Sequence, residues 1–380
     1  MVKRLKNVWK DVVSSDNLLE AYKRSRRGKT TKPQVASFDT DPIPRLEEIQ
    51  KSLIEKTYRS GEYRAFTIRE GGKERIVYDI DYDPHRIVHW ALMLQIRPMI
   101  MDYIGEGHSF AAMEGRGSHQ ALQKLKDALR KDPEGTVYCL KMDVRKFFPS
   151  IDKDIMMRKL ERRIKDKDVL WLCGEIIYGF PGPGLPIGNY TSQYFANFYL
   201  ADLDRYMTQV WHCKHYIRYM DDIIILGSSK AWLHRVRRKV DELLTADGLE
   251  MKDNWQIFPV DDRGIDFVGY RTFRDHVLLK EPTVKRLKSK CREISSKLSE
   301  GGTLDIHDIG SLCSYNGVLR WCDGYHLANE TIYTIVERGN EPWRSLMEFQ
   351  TPSQSSSSAD PLSRCTDATS PVSLPRTTTA

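Results

Sequence analysis

Neither disulfide-type nor zinc-type cysteine spacing occurs in this sequence. Its seven cysteines (Cys139, Cys173, Cys213, Cys291, Cys313, Cys322 and Cys365) are odd in number and never form a Cys-x-x-Cys pair. That argues against a disulfide framework or a structural zinc site and points to a reducing cytoplasm. No apolar stretch approaches the roughly 18 residues of a membrane span, and the start, MVKRLKNVWK, lacks the apolar run of a secretory signal. No membrane partner is expected. Internal repeats are absent too. From Thr351 onward, TPSQSSSSADPLSRCTDATSPVSLPRTTTA has almost no large apolar side chain. Such a segment cannot bury enough surface to offset its ordering entropy, so a disordered Ser/Thr/Pro-rich tail is expected.

What is present has an ordinary globular composition, 40% hydrophobic and 29% charged over 380 residues, enough for two or three subdomains around a sizeable core. The net charge of +7 is uneven, with ten Lys and Arg against three acids in residues 1–33. A solvated helix followed by a flexible segment would account for this, and so would a phosphate-binding extension. The rest alternates between helical and strand periodicity. Two strands around a Gly71-Gly72 turn are expected in 64–80, then a helix from Pro84 and another capped by Ser118. A strand over 136–142 precedes helices at 153–167 and 191–210. A further helix closes on Gly248 as a left-handed cap. Short strands follow at 255–280, and a basic helical region begins after Thr283.

The segment YIRYMDDIIIL, residues 216–226, places Asp221 and Asp222 between two runs that both read as buried strand. Adjacent carboxylates repel, and burying them without a counter-charge is costly. A solvated hairpin tip is one explanation, since Asp is a common turn residue. A bound cation is the other, and it requires further carboxylates from elsewhere in the chain. CLKMDVRKFFPSID, residues 139–152, supplies one: Asp143 follows an apolar strand and opens a turn. Three carboxylates meeting there suit hard divalent cations such as Mg²⁺, which take oxygen ligands. A pair of such ions stabilises the attacking and leaving oxygens of phosphoryl transfer.

These segments resemble the reverse transcriptases over roughly residues 45–330. KMDVRKFFPSI is similar to the first palm motif of that family, GLPIGNYTSQYFANFYL to the second, YIRYMDDIIIL to the third and RGIDFVGY to the strand leading toward the thumb. The resemblance implies an α+β right-hand polymerase with fingers, an RRM-like palm and a helical thumb. It divides the chain into a basic extension (1–45), fingers (46–130), palm with the YMDD site (131–275), thumb (276–348) and tail (349–380). It also implies two Mg²⁺ ions held by Asp143, the Val144 carbonyl and Asp221, with Asp222 completing the catalytic cluster. Phe148 takes the place of the aromatic gate against the ribose 2′-hydroxyl, and Arg69 and Arg75 those of the basic residues gripping the incoming triphosphate. Guanidinium groups bind phosphate in bidentate fashion. Where the family often has a lysine that protonates pyrophosphate, Trp255 aligns, with Lys252 as a nearby substitute. His108 and Arg116 fall in a fingers segment that commonly contacts template, and Trp321 and Tyr325 are expected in the thumb core.

In the second motif, Ile187-Gly188 and Ser192-Gln193 replace the usual Gln-Gly and Ser-Pro. This form is similar to the reverse transcriptases of diversity-generating retroelements and of some bacterial antiphage systems. It places Ile187, Gly188 and Gln193 beside the nascent base pair, where an apolar Ile187 removes a polar check and should loosen discrimination. The expected activity is an error-prone RNA-directed DNA polymerase using dNTPs, an RNA template and a primer–template duplex. A small basic accessory protein and a structured RNA from the same locus are the further partners implied. Defence against phage is the alternative role, and a catalytically silent RNA-binding scaffold a more remote one. No nuclease motif is apparent, and the chain is expected to end too soon after the thumb for an RNase H domain.

Overall fold

The computed structural model describes residues 4–70 and 72–335; the tail expected at 349–380 and the Gly71 half of the expected turn lie outside them. The described residues fall into two compact units, one of residues 4–286 with Leu319–Gly324, the other of Leu287–Val318 with residues 325–335. Among the described residues helices and strands are mixed, in keeping with the α+β class expected, and no helix is long and apolar enough to cross a membrane.

The first unit is organised by a four-stranded antiparallel sheet. Its strands are β3 (Tyr138–Asp143), β4 (His215–Tyr219), β5 (Asp222–Gly227) and β6 (Gln256–Pro259), in the order β4-β5-β3-β6. The strand pair β1 (Tyr63–Glu70) and β2 (Lys73–Ile80) forms a separate antiparallel hairpin. The short strands β7 (Ile265–Phe267), β8 (Tyr270–Thr272) and β9 (Val277–Leu279) form a third sheet.

Side chains alternate across the central sheet as the pleat requires. Leu140, Met142, Tyr216, Ile223 and Ile225 join a large core with the helices Ile87–Ile104, Tyr190–Tyr199 and Lys230–Ala246. Cys139, Ile217, Ile224 and Leu226 point the other way, into a second cluster with Leu125 and Leu129 of the helix Ser118–Lys131 and with Ile265 and Phe267 of β7. Both faces are covered, which is why Ile223-Ile224-Ile225-Leu226 runs without a polar break.

Helix starts follow local chemistry. Asp152, Asp166 and Ser229 each accept a backbone N–H in the first turn of the helix they precede. Gly248 takes φ +72° after the helix Lys230–Ala246, as a left-handed cap should. Ser118, expected as a cap, is instead the first helical residue. The extended Gly117 precedes it, and no side chain caps that end. The basic N-terminal region is helical rather than loose, with helices Ser15–Ser25 and Pro42–Ile54, the latter begun on a proline.

In the second unit Leu287, Cys291 and Ile294 are buried at helical spacing along the helix Glu281–Ser299, and Leu312 and Ile332 are buried as well. Asp308, almost fully buried, accepts from Lys297 at 2.7 Å and lies 3.2 Å from Lys290. The two ammonium groups hold its carboxyl below the usual carboxylate range, Lys297 first. Tyr325, expected in a core, is exposed. Trp321 belongs to the first unit and stacks on His119 with ring centroids 4.2 Å apart.

Candidate active site

Asp143 ends β3 and Asp222 begins β5, and the antiparallel register makes them direct partners. Asp221 occupies the two-residue turn between β4 and β5, after Met220 at φ +57°. A left-handed first position is what a tight hairpin turn of native twist demands. The Asp221 carbonyl accepts the Val144 N–H at 3.3 Å, so the turn is tied to the chain just past Asp143. Val144 and Arg145 are held in turn by the segment 250–252. Arg145 N–H donates to the Glu250 carbonyl, and Lys252 N–H to that of Asp143, each at 2.8 Å.

Two lysines answer part of the electrostatic question that the adjacent, half-buried Asp221 and Asp222 raise. Lys141 lies two residues before Asp143, on the same face of β3, and donates to Asp222 Oδ2 at 2.9 Å and to the Asp266 carbonyl at 2.5 Å. Lys252 donates to Asp143 Oδ1 at 2.5 Å. Among the described residues no lysine donates to Asp221: burial first, and the Asp143 carboxylate second, push its carboxyl up to about 6, with the more distant charge of Lys252 acting against the shift. Asp222 is also raised, by burial above all, with Lys141 acting against the shift. Its Oδ1 is buried and unpartnered. A cavity of about 300 Å³ opens beside Asp143, lined by Lys141, Asn254, Gln256, Arg263, Asp266 and Arg271.

A hard divalent cation fits this donor set, because it is all oxygen and leaves one buried carboxylate oxygen of Asp222 without a hydrogen bond. Among the described residues no group of three His, Cys, Asp or Glu is placed so that together they could hold a metal ion. Lys141 and Lys252 stand in contact with the carboxylates instead.

The remaining expected residues fall around this centre in different ways. Phe148 follows the left-handed Lys146 (φ +43°) and is half-buried, edge-on to Phe147. Its carbonyl accepts the Leu185 N–H at 2.9 Å, and a Cβ on Gly184 would come within 2.1 Å of that same oxygen. Only glycine lets the second motif approach the Phe148 turn so closely. Ile187 is half-buried, its carbonyl accepting from Tyr78 N–H of β2 at 2.8 Å. Gly188, at φ +116°, has no room for a Cβ beside the Tyr78 carbonyl, and Arg86 donates to its oxygen at 3.1 Å. Gln193 is exposed on the helix Tyr190–Tyr199. Arg69 and Arg75 lie on the exposed hairpin, where Arg69 is paired with Glu74 at 2.9 Å.

Between the two candidates near residue 250, Lys252 is at the site. Trp255 faces the helix Lys230–Ala246, with the Arg237 guanidinium 4.6 Å from its ring centre. Arg116 is spent on its own loop, donating to the carbonyls of Gly105 and Ser109. Sequence reasoning had overlooked Lys141, although a period of two from Asp143 would have found it. It also missed Arg218, whose charge inside an otherwise apolar strand was a signal, and Asp204, which gave none. Arg218 and Asp204 form an ion pair with no exposed side-chain surface.

A sequence profile described as reverse transcriptase (RNA-dependent DNA polymerase) matches residues 70–272, which contain every one of these site residues except Arg69. None of the curated proteins compared matches the chain. Among solved structures, a telomerase from Candida albicans, in complex with a fragment of telomeric RNA, is similar at TM-score 0.47 and 13% identity, over 80% of this chain and 70% of that one. An apo telomerase from Candida tropicalis gives 0.48 and 14%, over 80% and 66%. A form of the latter truncated from its C-terminal domain gives 0.41 and 13%, over 61% and 59%. The chain thus spans less than two thirds of both Candida tropicalis structures. With more than half of its length matched by the profile, the chain belongs to the reverse transcriptase family.

Proposed function

We propose that the protein is an RNA-directed DNA polymerase, extending a primer 3′-hydroxyl with dNTPs along an RNA template. The register that makes Asp143 and Asp222 cross-strand partners carries this reading, because it brings two motifs distant in sequence into one acidic centre. Asp143, the Val144 carbonyl and Asp221 would hold two Mg²⁺ ions, with Asp222 completing the cluster. Bound there, the ions would lower the pKa of the primer hydroxyl and neutralise charge on the transferring phosphoryl group. The protein's part is positioning and electrostatics. Phe148 excludes the ribose 2′-hydroxyl, Arg75 and Arg69 grip the triphosphate, and Ile187, Gly188 and Gln193 border the nascent pair. The unpartnered, buried Oδ1 of Asp222 supports the metal assignment. In this reading residues 46–130 serve as fingers, 131–275 as palm and 276–348 as thumb, with 1–45 as a basic extension.

Primer extension tests the proposal. Purified protein with Mg²⁺ and a primed RNA template should make DNA from dNTPs and little product from rNTPs, and Asp221→Ala should make none. Wild-type silence, even with the RNA and accessory protein encoded beside the gene, would overturn it in favour of a scaffold. The second motif favours the diversity-generating type, with errors concentrated opposite template adenine. Ile187→Gln should then sharpen the error spectrum, and an unchanged spectrum would sink the assignment of low fidelity to Ile187. Accurate or untemplated DNA would instead favour a role in antiphage defence.

A further inference from the structure

Arg218 lies on β4, two residues before the turn that carries Asp221, and its side chain has no exposed surface. A guanidinium has five N–H donors in a fixed fork, and each has an acceptor here. Nε donates to Asp204 Oδ1 at 2.7 Å and Nη2 to Asp204 Oδ2 at 2.5 Å. Nη2 also reaches the Asn197 carbonyl at 3.3 Å, and Nη1 the Asn197 Oδ1 at 3.0 Å. The last donor, on Nη1, goes to the carbonyl of Met220 at 2.9 Å. Tyr216 donates to Asp204 Oδ1 at 2.7 Å, and Asn197 Nδ2 to the Ala111 carbonyl at 2.8 Å. The fork is itself held from three sides, by Asp204, by Asn197 and, through Asn197, by residue 111.

Burying such a pair does little for stability, since a well-packed apolar pair of similar volume does as well or better. Geometry is what it uniquely supplies. Arg218 fixes the peptide between Met220 and Asp221, and the Val144 N–H fixes the peptide after Asp221. With both flanking peptide planes held, the backbone angles of Asp221 are set, and so is the direction in which its carboxylate leaves the chain. Met220 at φ +57° needs such over-determination, because a non-glycine residue pays for the left-handed region. We propose that Arg218, clamped by Asp204 and Asn197, is a positioning residue that aims Asp221 by holding the Met220 carbonyl. It touches neither substrate nor metal.

This inference rests on the polymerase reading for its kinetic consequences but not for its structural ones, and the experiment separates the two. Arg218→Lys keeps the charge and loses the fork. The double variant Arg218→Met with Asp204→Leu removes both charges together and guards against a misfolded single variant. Amide hydrogen exchange at residues 144 and 220–222 reads the turn directly, Mn²⁺ titration calorimetry reads ion binding, and primer extension reads kcat apart from the dNTP KM. In both variants we expect faster exchange confined to these residues, weaker Mn²⁺ binding, and a kcat lowered about 10²-fold with the dNTP KM and RNA–DNA duplex affinity retained. Wild-type exchange and Mn²⁺ affinity in a folded double variant would overturn the proposal. A wild-type protein that extends no primer would overturn the polymerase reading alone, and the exchange and calorimetry would still decide the role of Arg218.

Discussion

At the scale of single residues, the site is a balance of charge held in a low-dielectric setting. Asp221 has a folded-state pKa of about 6, above that of the unfolded chain. The folded state therefore holds the proton more tightly, and the stability gained from it is complete below about pH 4. It is lost as pH rises through about 6, as long as no metal is bound. Asp221→Asn removes the charge but keeps the shape, so the variant should melt several degrees higher than wild type at pH 7.5 in EDTA. The same substitution should lower polymerisation by about 10³-fold or more. Differential scanning calorimetry with and without Mg²⁺ would test the first expectation, and its failure would mean that Asp221 is better compensated than its surroundings indicate. Phe148 is a second single-residue case. Half-buried above a turn that the second motif braces, it should act by bulk. Phe148→Ala should raise rNTP use relative to dNTP by about 10²-fold in kcat/KM while leaving duplex binding intact.

At the scale of elements, the strands were more legible than the partnerships between them. The run Ile223–Leu226 announced a buried strand because every side chain in it is apolar, and Asp143 announced a strand end because KMDV breaks an apolar run. Sequence alone did not reveal that Lys141 answers Asp222 or that Arg218 answers Asp204, since those pairings depend on register and on helix placement that no local pattern encodes. Of the helix ends, the Gly248 stop was read correctly and Ser118 was misread, where an extended glycine precedes the helix. The caps Asp152, Asp166 and Ser229 carry a signal that went unused, and the helix Lys167–Tyr178 behind Asp166 was not expected.

The helix Ile87–Ile104 shows another cost hidden from sequence. His89 is fully buried within it and neither ring nitrogen has a hydrogen-bond partner. Burial, with Arg86 and His85 adding repulsion, drives its pKa down to about 3. Because the folded value is depressed below the unfolded one, stability is complete above about pH 6.5 and falls as the medium is acidified toward 3. Replacing His89 with Leu, of comparable bulk, should flatten this acid limb. The variant's advantage over wild type should grow steadily as pH falls from about 6.5 toward 3, being large by pH 4 and small from this titration at pH 8, as read by urea denaturation across pH. An equal gain at both pH values would assign the effect to packing instead.

For the molecule as a whole, the excess of positive charge is not uniformly available. Along the helix Glu281–Ser299, Lys290 and Lys297 are engaged by Asp308, whereas Lys288 and Arg292 are exposed. If this helix tracks a nucleic-acid backbone, substituting Lys288 or Arg292 with Ala should reduce the slope of log K against log salt for duplex binding by about 1 each. Lys297→Ala should leave that slope unchanged and lower stability, because it leaves the buried Asp308 carboxylate with Lys290 as its one remaining ammonium partner among the described residues. Filter binding over a salt series would separate the two outcomes.

The pairing of β3 with β5 also governs when the acidic centre can first assemble during synthesis. Lys141 and its partner Asp222 are 81 residues apart, and β4 and β5 must both leave the ribosome before β3 can acquire its neighbour. At about 5–20 residues per second, β3 waits some 4–16 seconds with both of its edges unpaired, since β5 and β6 both follow it in the chain. A newborn chain therefore carries Asp143 long before Asp222 can stand opposite it. That interval is the window in which a chaperone, or a wrongly registered strand, would compete for either edge.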